Sequence, residues 1–135
     1  MVILNRTIRM NFLQILIVSL VLIQTNADIR RDCREQTGVS WDALKRLKAA
    51  DFNQTDHKLK CYLKCFMTMN GIFNEGDVDV ERVLRHLPRS LQESSRTTLE
   101  YCKKFPSKDA CDKAFQLAKC YFKFQPEVLR SVSFV

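Results

Sequence analysis

The chain has 135 residues, of which 46% are hydrophobic, and a formal net charge of +7. These values indicate one domain large enough to build a single core. Nucleic-acid binders usually concentrate their positive charge, but the basic residues here are spread along the chain in runs no longer than pairs such as Arg30-Arg31. We therefore expect no nucleic-acid partner. Only three Gly and three Pro occur, too few for a fold with many β-turns.

The first 27 residues have the pattern of a secretory signal peptide. Two arginines give a positive start, an apolar run occupies residues 12–23, and small residues follow at Thr25 and Ala27. This order of charged, apolar and small residues is typical of a segment cleaved on export. A membrane anchor is the alternative, but about 20 apolar residues are needed to cross a bilayer. We predict cleavage after Ala27, a domain at 28–135 and a secreted, extracellular protein.

Apolar residues then recur at intervals of three and four, which predicts amphipathic helices. The predicted helices, in chain order, cover residues 40 to about 50, 56–70, 77–88, 89 or 90 to about 104, and 107–125. Ser40 and Ser107 are expected to be N-caps, while Asn70-Gly71 and Pro88 end helices. The segment 71–76 is expected to be a loop. Pro126 interrupts the last helix and leaves a C-terminal tail.

Six cysteines follow the predicted signal: Cys33, Cys61, Cys65, Cys102, Cys111 and Cys120. An even number in a small exported chain indicates three disulfides. A zinc site that includes Cys61 and Cys65 is the alternative. Export argues against zinc, and neither His57 nor His86 has metal-ligand spacing to the cysteines. We therefore expect no metal and no cofactor.

Cys61 and Cys65 are four residues apart on one predicted helix, so both point to one side of it. Their Cβ atoms should lie about 5–6 Å apart, whereas a disulfide needs about 3.8 Å. Each is therefore expected to bond to another segment, which makes this helix the central element of the domain. Most of the fifteen possible pairings of six cysteines remain open at this point.

The cysteine spacing reads Cys-x27-Cys-x3-Cys-x36-Cys-x8-Cys-x8-Cys. This resembles the six-cysteine pattern of insect odorant-binding and pheromone-binding proteins. Short strings around the cysteines agree, including Lys60-Cys61-Tyr62, Leu87-Pro88 and residues 111–115. The resemblance implies an all-α fold of about six helices around an internal apolar cavity. It also implies three disulfides, Cys33–Cys65, Cys61–Cys111 and Cys102–Cys120.

The resemblance further implies a carrier that reversibly binds odorants, pheromones or other small hydrophobic molecules and transports them through extracellular fluid to receptors. By matching positions, it implies a set of ligand contacts: Tyr62, Phe66, Val80, Val83, Leu87, Leu91, Ser95, Thr98, Leu99, Tyr121, Phe134 and Val135. Ser95 and Thr98 are the candidates to hydrogen-bond an alcohol, aldehyde or ester oxygen. The alternative is that both hydroxyls bond their own helix backbone. An apolar helical face is ordinarily core, and the sequence does not separate core from cavity lining.

The C-terminal tail is a second candidate element. In relatives such a segment folds over the cavity, and a tyrosine and a basic residue hold its carboxylate. Phe134 and Val135 resemble such a lid, with Tyr62 and Arg30 as the implied partners. Protonation of the carboxylate would then release ligand in acid. A frayed terminus is the alternative.

Asn53-Gln54-Thr55 is an N-glycosylation sequon in a predicted loop of an exported chain. Asn53 is therefore a candidate for modification, and an unused sequon is the alternative.

Other classes of function lack their residue patterns. A secreted phospholipase needs a histidine beside an aspartate and a glycine-rich calcium loop. His57 follows Asp56, but no glycine-rich loop accompanies the pair, so we expect no enzyme. A cationic defence or membrane-active protein needs a concentrated basic face, whereas basic and acidic residues interleave here. The remaining alternative is a non-olfactory carrier in haemolymph or reproductive fluid. A membrane odorant receptor and a weak homodimer are the expected protein partners.

Overall fold

Helices dominate the computed structural model, which describes residues 2–132, with side chains for residues 11–18 and 28–132. The elements are α1 (Val2–Thr37), α2 (Trp41–Lys48), α3 (His57–Met69), β1 (Phe73–Asn74), β2 (Asp77–Val78), α4 (Val80–Arg85), α5 (Arg89–Cys102), α6 (Ala110–Phe124) and α7 (Pro126–Leu129). The all-α class is confirmed. Over the part of the chain that the structure describes, no helix is both long and apolar enough to cross a membrane.

Among the described residues, side-chain oxygens cap the N-termini of four helices, α2, α3, α4 and α6. Ser40 Oγ accepts a 3.0 Å hydrogen bond from the Ala43 amide, as the sequence predicts. Asp56 and Asp79 cap α3 and α4 in the same way. The prediction that Ser107 caps α6 is wrong, because Asp109 accepts a 2.8 Å bond from the amide of the third helical residue. A carboxylate is the better cap since its charge also interacts favourably with the helix dipole.

Part of the predicted loop at 71–76 is a β-hairpin. Phe73 pairs with Val78, and Asn74 pairs with Asp77. The two residues between the strands, Glu75 and Gly76, have φ of 53° and 79°. Two consecutive positive φ angles are typical of a type I′ turn, whose twist matches that of the strands. The hairpin also shifts the start of the next helix from the predicted Asp77 to the residue after Asp79.

Helix α3 is the central element of the fold. It packs against α1 and α6, and Cys65 and Cys61 bond it covalently to Cys33 on α1 and Cys111 on α6. The third disulfide, Cys102–Cys120, joins α5 to α6. All three pairings implied by the resemblance are confirmed. Each disulfide is worth about 2–4 kcal/mol, in the usual account by restricting the unfolded chain.

An ion pair also connects α3 to α6. The Lys60 ammonium lies 3.0 Å from a carboxylate oxygen of Asp112, and both side chains are mostly buried. The backbone amide of Lys108 donates to the other oxygen at 3.0 Å. This amide, together with the Lys60 ammonium, holds the pKa of Asp112 below its ordinary value. The carboxylate is therefore charged at neutral pH and satisfied on both oxygens.

Both ends of the chain differ in detail from the sequence-based expectation. Helix α1 continues from Val2 to Thr37 through the predicted cleavage point after Ala27, so the domain boundary stays a prediction. Pro126 does not only interrupt α6 but also begins α7, where it occupies the first turn. Proline is tolerated there because that amide has no partner within the helix. Val128 and Leu129 are buried against the body of the domain.

Candidate ligand cavity

A cavity of about 620 Å³ lies between α1, α3, α4, α6 and the C-terminal segment. Most of its lining is apolar: Ile29, Phe66, Met67, Ile72, Val78, Val83, Leu87, Leu99, Leu117, Ala118, Phe122, Val128 and Val132. The polar lining residues are Arg30, Asn70, His86, Tyr121 and Ser131. Its volume lies within the range of small-molecule sites, about 300–1,000 Å³, and such sites are mostly apolar with a few polar groups.

The structure places some of the residues implied by the resemblance at this cavity and others elsewhere. Phe66, Val83, Leu87, Leu99 and Tyr121 line it, as does Arg30. The remaining described candidates lie outside its lining: Tyr62, Val80, Leu91, Ser95 and Thr98. Phe134 and Val135 lie outside the described residues. The assignment of ligand contacts stays a prediction for all of them.

Several lining residues were not among the sequence-based candidates. Leu117, Ala118 and Phe122 belong to the same apolar face of α6 as Tyr121, so the periodicity signalled the face but not which part borders a void. Ile29 lies only two residues after the predicted cleavage point and carries no motif. The packing of α1 against α3 brings Ile29 to the cavity.

A buried pair of hydroxyl groups lies at the edge of the cavity. Ser95 Oγ and the Tyr121 hydroxyl are 2.9 Å apart, and Ser95 is fully buried. Burial raises the pKa of Tyr121, so the phenol is neutral at physiological pH. Two hydroxyls that share one hydrogen bond retain one further proton to donate. Because Tyr121 lines the cavity, the pair has the chemistry to donate to a ligand oxygen when Ser95 acts as donor to Tyr121.

Thr98 differs from Ser95 in this respect. Its hydroxyl donates to the Ser94 carbonyl oxygen at 2.9 Å. The backbone-bonding alternative therefore applies to Thr98, whereas the Ser95 hydroxyl bonds the side chain of another helix.

The C-terminal segment forms one wall of the cavity. Val128, Ser131 and Val132 all line it. The Lys48 ammonium on α2 donates to the carbonyl oxygen of Val132 at 2.7 Å and to that of Arg130 at 3.4 Å. This segment is therefore tied to the body of the domain by a cation that the sequence analysis did not identify.

The two implied partners of the tail lie on α1 and α3. Arg30 lines the cavity, while Tyr62 is fully buried with its ring stacked on Phe66 at 6.2 Å between centroids. Burial raises the pKa of Tyr62, and the positive charges of Arg34 and Arg30 act in the opposite direction. Arg30 and Tyr62 are thus close enough to interact electrostatically, although the terminal carboxylate itself is not among the described atoms.

The spacing argument made against a metal site was wrong for His57. His57 precedes Cys61 by one helical turn, and its Nε2 lies 3.4 Å from Cys61 Sγ. One potential ligand atom from each of His57, Cys61 and Cys111 falls within a 4.8 Å cluster. The two sulfur atoms are bonded to each other, and a disulfide lacks the thiolates that zinc requires.

Asn53 lies exposed in the loop between α2 and α3. Its backbone amide donates to the Asp51 carboxylate at 3.1 Å, so the loop is ordered locally while the asparagine side chain faces solvent.

The small helical fold, the three disulfides and the apolar cavity are together typical of one class of protein, the helical carriers of small hydrophobic molecules. The family model described as PBP/GOBP family matches residues 22–124. The chain therefore belongs to the PBP/GOBP family, and its recognition as an insect odorant-binding type is confirmed. This membership supports a carrier that binds small ligands, and the matched relatives are binding proteins and not enzymes.

Three relatives illustrate the similarity. General odorant-binding protein 56a of Drosophila melanogaster is 28% identical over 98 residues, which is 72% of this chain and 70% of that protein. The structure of odorant-binding protein 4 of Chrysopa pallens is 28% identical, covers 80% of this chain and 92% of its own, and has a TM-score of 0.65. The structure of a fatty acid binding protein from the oral disk of the blowfly Phormia regina is 25% identical, covers 78% of this chain and 93% of its own, and has a TM-score of 0.64.

Proposed function

We propose that this protein is a secreted carrier that holds one small apolar molecule reversibly in the cavity, transports it through an extracellular fluid and delivers it to a membrane receptor. The observation that supports this most directly is the cavity of about 620 Å³ with a largely apolar lining. Its occurrence in a member of a ligand-carrying family argues for use as a binding site. The N-terminal signal pattern supports export.

The preferred ligand has an aliphatic body and one oxygen that accepts a hydrogen bond. The apolar walls match the body, and the Ser95–Tyr121 pair supplies a donor for an alcohol, aldehyde or ester oxygen. The blowfly relative, a fatty acid binding protein, supports a long aliphatic chain. Its source, an oral disk, also supports carriage outside the olfactory organ as the alternative setting.

Displacement of a fluorescent apolar probe from the oxidised protein tests the proposal. We expect saturable micromolar binding to one site, with competition by long-chain alcohols or esters. A matched hydrocarbon without the oxygen should compete less well, because it leaves the hydroxyl pair without its ligand partner. Absence of saturable binding by correctly paired protein would overturn the carrier proposal. Sequencing the N-terminus of protein secreted by insect cells tests export and cleavage after Ala27 separately.

We further propose that residues 128–132, with the tail beyond them, close the cavity. The contact that supports this is the Lys48 ammonium on the backbone of the segment. Lys48→Met removes both hydrogen bonds, and we expect ligand dissociation to accelerate about 2–10-fold, corresponding to about 0.5–1.5 kcal/mol. Lys45→Met is the matched control, since Lys45 is an exposed lysine on the same helix whose side chain has no described bond to the segment. Equal dissociation rates for both variants, or unchanged affinity after truncation at Pro126, would exclude a lid.

A further inference from the structure

Three large aromatic side chains form a cluster on the surface at the C-terminal ends of α5 and α6. Tyr101, Phe105 and Phe124 are 53%, 43% and 54% exposed. The rings of Tyr101 and Phe105 meet edge to face at 5.3 Å between centroids, and those of Tyr101 and Phe124 at 5.9 Å. These three residues are called the aromatic cluster below. They form one contiguous apolar surface, and not three scattered side chains.

The ligand cavity does not account for this cluster. The cavity lies against the face of α6 that carries Leu117, Ala118 and Tyr121, and no member of the aromatic cluster lines it. Isolated exposed hydrophobic residues need no explanation, but a contiguous apolar patch usually marks a site of interaction. The nearby Cys102–Cys120 disulfide joins α5 to α6, which carry Tyr101 and Phe124. Phe105 follows α5 directly, and its amide donates to the Cys102 carbonyl oxygen at 3.3 Å.

The segment that carries the cluster is locally basic, although charge is spread along the whole chain. Residues 100–124 contain six lysines and three acidic residues. Two of the acids are already paired, Glu100 with Lys103 at 3.2 Å and Asp112 with Lys60. Four lysines in this segment are exposed: Lys104, Lys108, Lys119 and Lys123. Lys104 and Lys123 directly adjoin Phe105 and Phe124 in the sequence.

We propose that the aromatic cluster docks on an anionic lipid surface. Aromatic rings partition to the headgroup level of a bilayer, and lysines near the surface are attracted to anionic headgroups. The long lysine stems can lie along apolar surface while their ammonium groups reach the headgroups. A second copy of the chain fits less well, because pairing two such patches would bring lysines of like charge together. The proposal does not depend on ligand binding.

Co-sedimentation of the oxidised full-length mature protein with lipid vesicles tests the proposal. The vesicles contain equal parts of phosphatidylcholine and phosphatidylglycerol, and pure phosphatidylcholine vesicles serve as the neutral comparison. We expect binding to the anionic vesicles that weakens as salt is added. Reversing charge with Lys104→Glu and Lys123→Glu together should weaken binding at least about 25-fold, at about fivefold for each positive charge removed.

A second variant removes the rings by combining Tyr101→Gln, Phe105→Ser and Phe124→Gln. It should weaken vesicle binding at least about tenfold while leaving probe binding in the cavity unchanged. Trp41→Gln is its matched control, because Trp41 is 52% exposed on α2, outside the cluster. Lys45→Glu is the control for charge. If the triple variant fails to fold, the charge-reversal pair and its control carry the test alone.

Three results would overturn the proposal: no binding of the unaltered protein to anionic vesicles, equal binding to neutral vesicles, or equal weakening by the Trp41 and Lys45 controls. Self-association that depends on Tyr101 in the absence of lipid would also overturn it, since the surface would then be an interface between copies. Sedimentation of the protein without vesicles distinguishes that case.

Discussion

Two alanines on α6 should respond in opposite directions when each is replaced by leucine. Ala114 and Ala118 are one helical turn apart, are 0% and 2% exposed, and belong to the same buried face. Ala118 borders the cavity, whereas Ala114 does not. Ala118→Leu therefore adds apolar atoms to open space, while Ala114→Leu adds them to a packed core. The pair tests whether the cavity exists in solution.

The expected magnitudes follow from burial. Leucine carries three more carbon atoms than alanine, and each buried methylene contributes about 0.8 kcal/mol. Ala118→Leu should therefore raise the free energy of unfolding of the ligand-free protein by up to about 2 kcal/mol. Ala114→Leu should lower it by about 1–3 kcal/mol, the usual cost of overpacking. If the new side chain displaces about two methylenes of ligand from the wall, affinity should fall about tenfold in the Ala118 variant.

Denaturant unfolding of the ligand-free oxidised variants measures the first effect, and probe displacement measures the second. Equal destabilisation by both substitutions would show that Ala118 faces a filled core and would refute the reasoning. A stabilised Ala118 variant with unchanged probe affinity would show that the cavity is real but is not the binding site. Stabilisation together with weaker binding is the expected combination.

Three further outcomes are expected. Tyr121→Phe leaves the buried Ser95 hydroxyl without its partner and should lower the free energy of unfolding in urea by about 1–3 kcal/mol. Adding Ser95→Ala should recover part of this loss. A double variant as unstable as Tyr121→Phe alone would contradict the pairing. The Lys108 amide and the Lys60 ammonium lower the pKa of Asp112 in the folded protein. The Asp112 carboxylate should therefore stabilise the fold fully above the ordinary carboxyl pKa of about 3.9, and this contribution should be lost as pH falls through the lower pKa of the folded state. Asp112→Asn should lack this acid-dependent part of the free energy of unfolding, and curves of identical shape for both proteins would contradict the assignment. Protein secreted from insect cells should lose mass on treatment with an N-glycosidase, and Asn53→Gln should abolish that change; a mass unaffected by the enzyme would show an unused sequon.

Local chemistry allowed much of the fold to be predicted. Ser40 caps α2 as predicted, because capping depends on only a few adjacent residues. The helix predicted to start near Asp56 does so, with Asp56 as its N-cap. The Ser107 prediction failed for a related reason, since Asp109 is a second capping residue two positions later and only the observed helix shows which one is used. The hairpin was missed because strands of two residues leave no periodic pattern, although Gly76 was a turn signal.

The candidate site was less accessible to sequence reasoning. Tyr62, Val80 and Leu99 each belong to the apolar face of a different helix, yet of these three only Leu99 borders the cavity. Periodicity reports which face of a helix is buried, and it is the same whether that face meets another helix or a void. Only the structure distinguishes a helix face that packs on another helix from one that borders a void, because the distance between helices depends on every side chain that packs between them.

The sequence by itself thus determined the helical class, the number of disulfides and, through the resemblance, their pairing. These depend on residue types and spacings that are present in the chain itself. Tertiary structure alone decided that a void remains beside Ala118 and not beside Ala114, and that Lys48 holds the segment lining it. The void and the Lys48 contact both depend on how segments far apart in sequence pack together, and the chain's local residue pattern does not specify that packing.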